Sequence, residues 1–144
     1  MRYRVAHARA AGDAAHLSAA IVRALFDDFA RGDYEAALAR LDPDVDWGEP
    51  PDMPETSGGY RGRDGVVSEF GRFMSAWAEL RVDLEQVEEV GERVVVLTHW
   101  HGRSAGTGIE VDQRVAQVYE FRGGRVARVR QFREFPEALA AATP

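Results

Sequence analysis

The stretches RVDLEQVEEV (residues 81–90), RVVVLTHWHGR (93–103), EVDQRVAQVYEF (110–121) and RVARVRQFR (125–133) decide the fold. From Arg81 the period changes to two, that of a strand with one face on a core, although the valine run 94–96 leaves the phase of 93–103 open. Gly91-Glu92 and Gly123-Gly124 suit tight hairpins, so consecutive stretches pair antiparallel. Ser104 to Gly108 makes a longer link between the middle two.

Upstream the period lengthens. Ile21, Val22, Leu25, Phe26 and Phe29 recur every three or four residues, which predicts a helix over 19–31 with Ser18 as its cap. Gly32 ends it and Asp33 caps a second helix over 34–41, closed by Asp42-Pro43-Asp44. Val45 to Glu49 alternates as a short strand with Val45, Trp47 and Glu49 on one face. The Pro- and Gly-rich 50–59 is a loop. A third helix, capped by Asp64, runs over 65–79 with Val66, Val67, Phe70, Phe73, Met74 and Trp77 as its apolar stripe. A short helix follows at 136–142, and residues 1–16 read as a polar tail. Helices first and an antiparallel meander after them give an α+β domain over 17–142, with helices on one face of a curved sheet.

Composition narrows the function classes. The chain has 144 residues, enough for one core, and a net charge of −6. Its 18 basic residues are all Arg, but the acidic excess disfavours a nucleic-acid partner. The absence of Cys removes thiolate metal sites and Cys nucleophiles. The start lacks the apolar run of a secretory signal, and no segment is long enough to span a bilayer, so a cytoplasmic protein is expected. Gly102, Gly106 and Gly108 do not lead from a strand into a helix as a phosphate loop does, and nothing points to a nucleotide, haem or flavin cofactor.

Three separated motifs resemble one family. They are the run from Ala24 to Trp47, the Tyr60-Arg-Gly-Arg-Asp-Gly65 segment, and the stretch from Gly108 to Val126. Together they look like SnoaL-like domains, relatives of nuclear transport factor 2 and ketosteroid isomerase. The resemblance implies a cone-shaped α+β fold, and often a homodimer built on the outer sheet face, for which Val118, Ala116 and Trp100 would supply an apolar patch. The same superfamily hosts isomerases, cyclases, hydrolases and plain binders.

By that resemblance Glu49, at a strand end before Pro50, stands where the isomerases keep their general base. Gln117 stands where cyclases and isomerases keep an Asp, and an amide cannot act as an acid. Leu25 stands where an oxyanion-hole Tyr belongs, so ketosteroid isomerase chemistry is not expected. Gln117 retains the capacity to orient a carbonyl oxygen.

His99 and His101 share one strand face and offer two metal ligands, but the sequence shows no third, so no metal is expected. If they face the interior, so do Val95 and Leu97; in the opposite register Val94, Val96, Thr98 and Trp100 do. The sequence leaves both open. The candidate site comprises Glu49, Gln117 and His99 as chemical groups, with Trp47, Tyr60, Phe73, Trp77, Leu97, His101, Tyr119 and Gln131 lining a cavity for a small, mostly apolar molecule. Phe132 adds aromatic surface. Arg128 and Arg130 are expected on the outer face, Val129 and Gln131 inside. Three functions compete: a small-molecule binder, an enzyme with Glu49 as base, and a dimerisation module with a filled interior.

Overall fold

The computed structural model describes residues 3–7, 17–54, 56 and 58–144. Its elements are β1 (Tyr3–His7), α1 (Leu17–Arg31), α2 (Tyr34–Ala39), β2 (Leu41–Trp47), β3 (Tyr60–Arg61), α3 (Gly62–Gly65), a π-helical turn (Val66–Phe70), α4 (Gly71–Ser75), β4 (Trp77–Val90), β5 (Arg93–Ser104), β6 (Glu110–Arg122), β7 (Arg125–Phe132) and α5 (Phe135–Ala142). One mixed seven-stranded sheet runs in the order β1-β4-β5-β6-β7-β2-β3. Its centre is the expected antiparallel meander, while β1 joins β4 in parallel and β2 joins β7 in parallel. The sheet is curved and does not close. Helices α1 to α4 pack on its inner face over a core that includes Leu25, Phe26, Phe29, Trp47, Phe73, Trp77, Trp100 and Tyr119.

The expected helices differ at their ends. Asp33 caps α2 by accepting the amide of Ala36, as anticipated. The helix then stops at Ala39, and Leu41 to Asp44 belong to β2 rather than to a helix and its closing turn. Pro43 is tolerated there because the ladder to β7 is interrupted between Leu41 and Asp46. The third helix begins at Gly62, with Asp64 inside it and Arg61 at its cap, and it ends at Ser75. Trp77 to Glu79 are therefore strand. Of the polar tail, residues 3–7 form a sheet edge against Leu80–Leu84; the remainder of 1–16 lies outside the described residues.

The largest departure is on the outer face. Val95, Ala116 and Val118 form a second apolar cluster under Ala138 and Ala142 of α5, with Leu97, Phe132, Phe135 and Leu139 packed around it. Val118 and Ala116 thus do not supply an open dimer patch, and Trp100 lies inside against Phe73. Arg93 and Arg130 tie α5 down by donating to the carbonyls of Ala142 and Ala141.

A buried charge fixes α1 against α2. Asp28 is 1% exposed and accepts from Arg31 Nη2 and Arg40 Nε, each at 2.6 Å.

Candidate functional site

Strand alternation sends Gln117 and Tyr119 of β6 and Gln131 of β7 to the inner face, as expected, because β6 and β7 pair Gln117 opposite Gln131. The three side chains form a chain of hydrogen bonds. Tyr119 Oη donates to Gln117 Oε1 (2.8 Å), Gln117 Nε2 to Gln131 Oε1 (3.0 Å), and Gln131 Nε2 to the carbonyl of Gly48 (2.6 Å). Burial of Gln117 at 4% exposure is tolerable only because these bonds satisfy it. Each carboxamide still carries a second N–H.

Glu49 sits just past the end of β2, held there by the amide of Gly48 donating to Val129 (2.8 Å). Its Oε1 accepts the backbone amides of Gly58 and Gly59, the latter at 2.8 Å, and its Oε2 accepts the hydroxyl of Tyr60 at 2.9 Å. Gly58 and Gly59 have φ of 105° and 112°, a region open to residues without Cβ, which lets both amides turn to one carboxylate. A Cβ on Gly59 would lie 2.9 Å from the carbonyl of Trp47. Glu49 thus anchors the loop that follows it.

Burial, then the bond to Glu49 and its negative charge, push the Tyr60 phenol well above its usual range. The folded state keeps a proton that the unfolded chain releases near pH ~10. That contribution is complete below this pH and is lost as pH rises beyond it. We expect stability to fall between pH 9 and 11 more steeply in the wild type than in Tyr60→Phe, read from urea midpoints; parallel curves would exclude the effect.

Glu49, Gln117, Gln131, Tyr60 and Tyr119 line one inner cavity, walled by Phe26, Phe29, Trp47, Phe70, Phe73 and Trp100. The cavity measures only about 30 Å³, room for a water or two. Beyond the wall lies an apolar groove of about 430 Å³ between α1–α2 and the third helical segment, lined by Tyr34, Leu38, Val66, Val67 and Met74 among others. Phe29 and Phe70 line both spaces, with ring centroids 4.8 Å apart. Phe70 closes the π-helical turn, an irregularity common at functional sites. Sequence periodicity missed the groove because the wider turn rotates Val67 out to 56% exposure while Val66 stays buried.

Four residues expected in the cavity lie elsewhere. His99, His101 and Leu97 are on the outer face: Thr98 and Trp100 take the inner one, where Trp100 Nε1 donates to Thr98 Oγ1 and Thr98 donates to the carbonyl of Val115. Leu97 packs with the cluster under α5. Trp77 is buried but turned towards Phe73 and the backbone of Gly102, away from the cavity. Leu25 is buried, and α1 contributes Phe26 and Phe29 to the cavity instead. Phe132, too, belongs to the outer cluster, whereas Val129 is in the inner core.

Solved structures share the architecture. A nuclear transport factor 2-like protein of unknown function from Burkholderia pseudomallei is 27% identical, with a TM-score of 0.72 over 89% of this chain and 98% of that one. A second such protein, from Burkholderia thailandensis, is 26% identical, with a TM-score of 0.72 over 88% and 98%. A Mycobacterium tuberculosis protein in complex with estradiol-17β-hemisuccinate is 18% identical, with a TM-score of 0.66 over 84% and 96%; that likeness concerns the fold alone. No curated protein matches. The sequence model of the SnoaL-like domain matches residues 22–129, and with the cone and its aromatic interior in place, the chain belongs to the SnoaL-like domain family.

Proposed function

We propose that this protein binds a small, flat, mostly apolar molecule carrying one oxygen acceptor, a ketone or a phenol. The carrying observation is that Phe29 and Phe70 wall both the apolar groove and the polar-floored inner cavity. Ligand pockets usually run to about 300–1,000 Å³, so the groove suffices for a ring system and the inner cavity alone does not. With Phe70 swung aside, the rings occupy the groove and the oxygen reaches the second N–H groups of Gln117 and Gln131. The steroid ester in the distant Mycobacterium tuberculosis protein is a molecule of this general shape.

Binding fits the geometry better than proton transfer. Glu49 already accepts three donors, two of them backbone amides, and serves as a loop anchor.

Trp47 and Trp100 line the cavity, so their fluorescence reports occupancy. Titration with 2-naphthol, a steroid ketone and a planar quinone should quench it saturably for at least one of them. Gln117→Leu should weaken that ligand by ~10-fold, the worth of one hydrogen bond. Glu49→Gln should change it by less than about 3-fold, since a carboxamide oxygen still accepts the loop amides and the ligand oxygen pairs with the two glutamines. No saturable binding below 1 mM by any of these compounds would sink the proposal. Turnover of a bound ketone that falls ~10²–10⁴-fold in Glu49→Gln would instead assign Glu49 as a base.

A further inference from the structure

The geometry points to a divalent-cation site on the outer face of the sheet, built from Asp83, His99 and His101 and selective for zinc-like ions. The third ligand that the His-x-His spacing lacked comes from a neighbouring strand. Antiparallel pairing of β4 with β5 sets Asp83 directly opposite His99, and Arg81 opposite His101. One ligand atom from each of the three residues lies within 4.8 Å of the other two. His101 Nε2 is 3.7 Å from Asp83 Oδ2. Tetrahedral zinc holds ligands at about 2.0–2.2 Å, which places them roughly 3.3–3.6 Å apart, so small side-chain rotations complete the set.

The surroundings match what metal-binding histidines need. Such a histidine directs its second ring nitrogen at a carboxylate, which fixes the ring and raises its basicity. Asp112, opposite His101 on β6, has Oδ1 2.5 Å from His99 Nε2 and Oδ2 3.9 Å from His101 Nδ1. Glu85 Oε2 lies 3.7 Å from His99 Nδ1, so either nitrogen of His99 is backed by a carboxylate when the other binds. Asp83 gives Oδ1 to Arg81 Nε at 2.9 Å and keeps Oδ2 towards His101. Two imidazoles and one carboxylate are a donor set for zinc, cobalt or nickel rather than magnesium or calcium.

Asp83 and His99 side chains are each 15% exposed and His101 36%, shielded yet reachable. The site borders an open depression lined by Arg103, Glu110 and Val111, which leaves room for a fourth, exchangeable ligand. It stands on the opposite sheet face from the cavity and does not depend on the ligand proposed there.

The test is titration of chelator-stripped protein with Co²⁺ and Zn²⁺, followed by visible absorption and calorimetry. The expected result is one ion per chain with a Kd at or below roughly 10 μM. His99→Ala and His101→Ala should each weaken it by more than about 100-fold, and Asp112→Asn by ~10–100-fold. These side chains stand on the outer face of the sheet, and circular dichroism of each variant is the check that it folds. Glu49→Gln should bind as the wild type does. Absence of saturable binding below 1 mM overturns the proposal. So does affinity that survives His99→Ala and His101→Ala but falls in His7→Ala or His16→Ala.

Discussion

Phe70→Ala should tighten binding of 2-naphthol by roughly 10–100-fold while making the protein less stable. The two signs have one cause. In the wild type the Phe70 ring packs on Phe29 at 4.8 Å and on Trp47 and Tyr60 at 6.3 Å, filling the space between groove and cavity. A ligand that reaches the glutamines must expel it. Burying a Phe side chain is worth ~1.5–3 kcal/mol, and the ligand recovers that amount when the ring is absent, with about 1.4 kcal/mol per decade of affinity. The unliganded protein loses the same contacts. Phe70 is only half-buried, so the loss should be roughly 2–3 kcal/mol, below the ~3–5 kcal/mol of a fully buried Phe. Fluorescence titration and urea unfolding on one preparation give both quantities. Affinity that is unchanged or weaker in Phe70→Ala would show that the groove and cavity are not one site.

Arg40→Ala should cost about 3 kcal/mol in urea unfolding, more than an average surface change by several-fold. Asp28 is almost wholly buried at the junction of α1 and α2, and Arg40 supplies one of its two guanidinium partners. Truncation leaves the buried carboxylate with Arg31, 58% exposed, as its remaining side-chain partner among the described residues. The loss belongs at the lower end of the range for breaking a buried pair because that one partner remains. Replacing both members by apolar residues of similar size, Asp28→Leu with Arg40→Met, should cost less than Arg40→Ala by itself, since no charge is then left uncompensated. A loss under about 1 kcal/mol in Arg40→Ala would mean that water already serves Asp28.

The meander, its hairpins and the amphipathic α1 were legible because one face of each is apolar at the period of its own backbone. The inward phase of β6 was legible because Val111, Val115, Tyr119 and Phe121 share the side of Gln117, whereas Asp112, Arg114 and Glu120 charge the other. On β5 the alternation fails. Val94, Val95 and Val96 are all buried, the even ones by the core and Val95 by α5, so no phase could be read from hydrophobicity. Thr98 and Trp100 take the inner face, where Trp100 donates to Thr98 and Thr98 to the carbonyl of Val115, 17 residues away and invisible to periodicity. The same hidden cover by α5 misled the expectation of a dimer patch. Trp77 was assigned to a helix because its spacing from Phe73 and Met74 continues the stripe; Gly71 to Ser75 ends first, and the bulge between Trp77 and Glu79 starts β4 with the indole against Gly102. Glu49 was singled out through the resemblance, but its loop-anchoring bonds come from glycine amides at positive φ, which carry no side-chain signal.

The placement of α5 has a consequence for how the chain matures. Its residues leave the ribosome after all of the strands they cover, so Val95, Ala116 and Val118 stay wet until α5 emerges. A nascent or clipped product ending before Pro136 would carry that greasy strip unguarded, a template for sticking to chaperones or to its own kind.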